Sequence, residues 1–246
     1  MPDPTPTPAP APATPKKTHE LVSKADLANV ELARSLALAA KAPDLAALFA
    51  DEEVTPAEMT AIVTDANTAE NTLAPAVSLA STAWKVTTRN ETKAKKALAT
   101  FVLSLQGAAK RKFRGNAAKL GGYCIGKKTL GDVREEYEKD VQAMLTLAAG
   151  DVLKGFPPAK LAAGATLLAA WKDADDAQQT ADRAFAGARG AFKKAVASLN
   201  ARRTDLQLAV NNGRPHTDPD NAIVRRAFKI PANRPYSPNL KEEPPV

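Results

Sequence analysis

The sequence predicts an all-α protein: an elongated bundle of about four helices, two of them long, flanked by proline-rich tails. Three observations carry that prediction. Through residues 55–113, apolar or small side chains recur at steps of three and four, the spacing that keeps one face of a helix against a partner. Prolines are pushed to the ends, with seven in residues 1–17, seven from Pro215 onward and only five between Lys16 and Gly213. Hydrophobic residues make up 44% of the chain, much of it alanine, and aromatics only 5%. Alanine favours helix and buries little area, so the helices are expected to pack backbone close to backbone around a thin core.

In chain order, residues 1–17 interleave proline with Thr and Ala, a composition that extends as polyproline and cannot bury a core; it reads as a disordered tail. The bundle is assigned to 18–212. Its first helix is expected over 19–41 with Thr18 as cap, ending at Ala42-Pro43 because a residue before proline is pushed out of the helical region. A further short helical turn is expected over 44–50, followed by the acidic loop Asp51-Glu52-Glu53.

The long helix 55–113 opens on Thr55-Pro56-Ala57-Glu58, an N-cap, a proline at N1 and a capping-box glutamate. Pro75 is expected to kink it, since proline removes a backbone donor and clashes with the preceding turn. Its middle is polar, with Thr87 and Glu91 on the apolar stripe, and a break into two helices near Asn90 is the alternative. Five of the twelve glycines then fall between Gly115 and Gly131, which predicts a structured loop plugged by Tyr123 and Ile125. A third helix is expected over 131–149. A fourth follows Phe156-Pro157-Pro158 and runs to about Asn211, with Asp173, Asp175, Asp176 and Asp182 in its middle. Residues 213–246 form a proline-rich tail with one short helix, 220–228.

Ala83-Trp84-Lys85 recurs as Ala170-Trp171-Lys172, a faint sign of internal duplication. If the two Trp-bearing helices align at that match, Asp175, Asp176 and Asp182 face Lys93 and Lys96.

The formal charge is +7 and the excess is patterned. Residues 92–131 contain ten Lys or Arg and no acid, and 183–204 contain six and no acid. If the second and fourth helices ran the same way, both stretches would lie at one end and form an electrostatic footprint for phosphates. The candidate phosphate-binding residues are Lys110, Arg111, Lys112, Arg114, Lys127 and Lys128. Gly121, Gly126 and Lys127 also fit part of a phosphate-loop pattern. Lys128 stands where the magnesium-ligating hydroxyl belongs, however, and no strand precedes the loop.

No catalytic constellation emerges. A single cysteine, Cys124, excludes an internal disulfide, and the two histidines stand near opposite ends of the helical region. Neither metal nor other cofactor is expected, no small-molecule substrate is evident, and the chain reads as a non-enzyme. No apolar run approaches a membrane span, and no secretory pattern opens the sequence, so the expected location is cytoplasmic. The functional expectation is a structural or protein-interaction bundle, partnered by another protein or by itself; the alternative is a nucleic-acid-associated protein using a basic end. The candidate docking element is Ile223, Val224 and Phe228, followed by Ile230-Pro231, an apolar plug for a groove on its own bundle or on a neighbouring subunit.

Overall fold

Two long helices run antiparallel to each other, and shorter helices wrap their two ends. The computed structural model describes residues 22–126, 130–131 and 133–238. The N-terminal tail 1–17, the expected cap Thr18, Lys127, Lys128 and the last eight residues lie outside that range. Among the described residues there is no strand; the helices are α1 (Lys24–Ala39), α2 (Ala46–Asp51), α3 (Pro56–Thr68), α4 (Ala74–Lys112), α5 (Ala117–Gly122), α6 (Arg134–Asp151), α7 (Pro158–Gly213) and α8 (Ala222–Ala227).

With the run from Pro56 to Lys112 counted once, these are seven helices rather than about four. Beyond the four, α2 and α8 answer the short turn expected over 44–50 and the short helix expected over 220–228, while α5 lies in the stretch expected to be a loop. At six residues each they are too short for a periodic stripe and depend on tertiary packing. In α1 the cap is Ser23, whose Oγ accepts the Asp26 amide at 3.0 Å. The capping box that opens α3 is formed: Thr55 Oγ1 accepts the Glu58 amide at 3.2 Å, and Glu58 Oε2 accepts the Thr55 amide at 2.8 Å.

Pro75 neither breaks nor ends its helix. Residues Ala69–Leu73 form a π-turn immediately before it, a widening that loosens the turn where a proline ring would meet the carbonyl of Asn71. From Ala74 the α-helix then continues unbroken through Asn90 to Lys112.

Cross-helix contacts set the direction of the α4–α7 pair. Trp84 stacks on Phe185 with centroids 5.8 Å apart, Glu91 reaches Trp171, and Phe101 lies against Gly164. Numbers rise along one helix as they fall along the other. At about 1.5 Å per residue, the 56 residues of α7 extend roughly 84 Å.

Two separate hydrophobic cores form along this spine. The first joins Leu36, Phe49, Met59, Ile62 and Val77 to Phe192, Leu206, Phe228 and Ile230, so α1, α2, α3 and the C-terminal segment close over the end of α7. The second joins Leu98, Phe101 and Leu105 to Tyr123, Met144, Phe156, Leu168 and Trp171, with α5 and α6 closing over the other end. There the Phe101 ring packs directly on the backbone of α7: a Cβ added to Gly164 would lie 2.2 Å from that ring.

Between the cores lies a bare mid-section. No side chain is fully buried between Ser81 and Leu98 of α4, nor between Trp171 and Phe192 of α7. Across these roughly 25–30 Å the two helices have little but each other to pack against.

Candidate functional site

Of the sequence-predicted phosphate residues, Lys110, Arg111, Lys112 and Arg114 stand at or just past the end of α4, and Lys127 and Lys128 lie outside the described residues. Because α4 and α7 are antiparallel, the basic stretches 92–131 and 183–204 lie toward opposite ends of the molecule, one beside each core. Lys112 is committed to structure, its Nζ donating to the carbonyl of Asp151 and, at 3.1 Å, to that of Val152. It thus satisfies orphan carbonyls at the end of α6, where the helix dipole also favours a cation. Asp151 draws further groups inward: Lys119 Nζ donates to its Oδ1 at 2.7 Å and the Tyr123 hydroxyl to its Oδ2 at 2.9 Å. The Lys119 ammonium, opposed in part by burial and aided by Tyr123, holds the Asp151 carboxyl below its ordinary value; burial and the same carboxylate push the Tyr123 phenol up. Lys110, Arg111 and Arg114 are exposed.

Of these, Arg111 belongs to a groove that sequence reasoning missed. Its walls are α4 and the α6–α7 connection, it encloses about 540 Å³, and Arg111, Lys154 and Lys160 converge on it around Ser104, Leu103 and Phe156. Lys154 and Lys160 stand 43 and 49 residues from Arg111 in sequence, so only the fold brings them together. The available signal was the absence of any acid in residues 152–172.

The plug residues lie at the end of α7. Phe228 and Ile230 are buried in the first core and Val224 packs against it, but Ile223 is 79% exposed and does not share their face. A helix of six residues presents barely one turn inward, too little for both 223 and 224. The segment is held by a polar clip absent from the sequence reading. Arg225 is fully buried and donates to the carbonyls of Arg214 (2.7 Å), Pro231 (2.7 Å) and Arg234 (2.9 Å), and to Asn211 Oδ1 (3.1 Å). Gln207 donates to the Phe228 carbonyl at 2.9 Å, and its Oε1 accepts the Tyr236 hydroxyl at 2.8 Å.

The glycine loop holds no phosphate-loop geometry among its described residues. Gly121 and Gly122 end the helix α5, while Tyr123 and Cys124 are buried in the second core. A cavity of about 250 Å³ lies nearby, lined by Glu91, Lys95, Arg134, Tyr137, Trp171 and Asp175. Its groups largely answer one another. Trp171 donates to Glu91 Oε1 at 3.1 Å, which explains a glutamate on an apolar stripe, and Arg134 bridges Asp175 (2.5 Å) and Asp176 (2.7 Å). The two aspartates are therefore matched to α6, not to Lys93 and Lys96. The two Trp residues are not equivalent either: Trp84 is half-exposed in the mid-section, whereas Trp171 is buried against Tyr137.

In and just before the mid-section, α4 carries exposed apolar groups and unpartnered polar ones. Leu79 is 73% and Val86 48% exposed, one heptad apart on the same side of α4. Ser81 Oγ and Trp84 Nε1 are buried without a hydrogen-bond partner among the described residues. Each such group costs about 1–3 kcal/mol. Among the described residues no three His, Cys, Asp or Glu side chains are placed to hold a metal, and no helix is long and apolar enough to cross a membrane.

No protein-family model matches the chain, and no match was found among curated proteins or solved structures.

Proposed function

We propose that this chain is a non-enzymatic structural or protein-interaction protein of the cytoplasm, a helical spacer that holds two small folded ends apart and offers the paired helices between them to another protein or a second copy. The observation that supports the reading is the mid-section itself. A long antiparallel helix pair with a closed core at each end and no fully buried residue between has bound its apolar surface at the ends only. Leu79 and Val86 remain open on α4. Exposed apolar residues aligned on one helix are what a partner helix packs against.

The alternative is nucleic-acid contact through one basic end, and it would gain if the two long helices ran the same way. Their antiparallel course separates the two basic stretches, and among the described residues a cationic groove lies beside the second core.

A photo-crosslinking residue placed at Leu79 or Val86 in living cells tests the spacer reading. The expected result is one adduct of discrete mass, either a dimer or a single partner, with far less at Leu38, which is 53% exposed on the first lobe. Equal labelling at all three positions, or none at the mid-section, refutes it.

A further inference from the structure

We infer that the groove between α4 and the start of α7 is a binding site for the phosphate group of a small phosphomonoester. Three cations face it, Arg111, Lys154 and Lys160, and among the described residues none of them is paired with a carboxylate. Like charges left together without acids raise the local potential and are a cost to folding unless an anion relieves them. Both flanking stretches, 92–131 and 152–172, lack Asp and Glu, so the groove is cationic on each wall.

Solvated surface lysines would show the same count, but not the same fixity. Lys160 Nζ sits 4.1 Å over the Phe156 ring and donates to the Gly155 carbonyl at 3.1 Å. Phe156 is itself set in the second core by an edge contact with Phe101 at 5.7 Å. Arg111 folds back along its own helix, its Nη1 3.7 Å from where a Cβ on Gly107 would stand. Gly155, at φ +84°, lets the chain reverse between α6 and α7 and bring Lys154 and Lys160 to one wall. Lys160 is thus oriented in advance, and a ligand loses less freedom ordering it.

The start of α7 adds the positive end of a 56-residue helix, but Pro157 and Pro158 carry no amide hydrogen, so it supplies field more than donors. Ser104 supplies a hydroxyl that can donate to a phosphate oxygen. Leu103, 67% exposed at the rim, suits a small apolar group on the ester side. A groove of about 540 Å³ is in the range of small-molecule sites and well beyond a bare phosphate.

Calorimetric titration of the full chain with inorganic phosphate, phenyl phosphate and a short DNA duplex, at low salt, tests the assignment. Phenyl phosphate should bind saturably and more tightly than inorganic phosphate. Arg111→Gln and Lys160→Gln should each weaken it roughly tenfold, the loss expected for one charge-assisted contact. Leu103→Ser should weaken phenyl phosphate while leaving inorganic phosphate unchanged. Lys110→Gln, on the same turn but outside the groove, should change neither by more than about twofold, the scale of a screened surface charge. Circular dichroism confirms that each variant keeps its helix. Equal losses at Lys110 and Arg111, the absence of saturable phosphate binding, or duplex binding that falls alike for every lost cation would each overturn the site.

Discussion

The two lobes differ in how their chain is gathered. The second is nearly self-contained: its core is drawn from residues 98–171, one excursion of the chain out along α4, through α5 and α6 and back along α7. The first is assembled from the two ends of the described chain, residues 30–77 closing against 192–230, with ion pairs such as Lys193–Asp26 (2.5 Å) and Arg202–Asp65 spanning well over a hundred residues. Pairings at long separation must overcome more loop-closure entropy before contacts repay it, so the second lobe is built to form early and the first to close last. The bare mid-section leaves little through which one lobe can support the other.

The largest test of that asymmetry removes the last closing piece. Deleting residues 214–246 takes away Phe228, Ile230 and the Arg225 clip. The first lobe should lose more than the ~3–5 kcal/mol that Phe228→Ala alone would cost, while the second lobe keeps its protection. Residue-resolved hydrogen exchange measures both at once, and equal loss in both lobes would show that they fold as one unit. The reciprocal test is Gly164→Ala in the second lobe. Its new Cβ drives into Phe101, which Phe156 holds from the side, and about 1–3 kcal/mol should be lost there with little effect on the first lobe.

A smaller effect has the opposite sign. Val152, the residue that ends α6, is a β-branched side chain at φ +43° and 77% exposed, so it bears backbone strain without compensating packing. Val152→Gly should raise second-lobe stability by about 1 kcal/mol in denaturant titration.

The subtlest test is acid. Lys193 holds the Asp26 carboxyl low in the first lobe, and Lys119 does the same for Asp151 in the second. A carboxyl depressed on folding stabilises fully above its ordinary value of 3.8 and loses that contribution as pH falls through the folded value. Asp151→Asn should flatten the acid limb below about pH 4 for second-lobe resonances alone, and Asp26→Asn for those of the first.

Local signals in the sequence marked two helix starts well, though α1 opens at Lys24 behind Ser23 rather than at 19. Thr55-Pro56-Ala57-Glu58 and Phe156-Pro157-Pro158 lie where α3 and α7 begin, because caps and prolines act within one turn. What pairs with what was not legible. Alanine serves equally on buried and exposed faces, so the stripes of α4 and α7 did not reveal two cores, and nothing local sets antiparallel over parallel. Ala-Trp-Lys suggested equivalence, yet Glu91 accepts from one indole and Phe185 stacks on the other. Nor does a basic run tell which cation caps a helix, as Lys112 does, and which faces a groove, as Arg111 does. That depends on where the α6–α7 turn lands.

The π-turn at Ala69–Leu73 also sets an angle. One residue of α-helix corresponds to about 100° of rotation, so the widened turn resets the phase between the part of the helix that serves the first lobe and the part that forms the spine. It works as a clutch between two shafts that share an axis. Met59, Ile62 and Ala66 face inward on one setting, Val77 and Ser81 on the next. Because the first lobe closes on α7 and on Val77 as well as on α3, a one-residue deletion within the π-turn, with Pro75 made alanine so that regular helix can run through, cannot turn that lobe as a body. It should set α3 against its partners on α7 and loosen the first lobe while sparing the second.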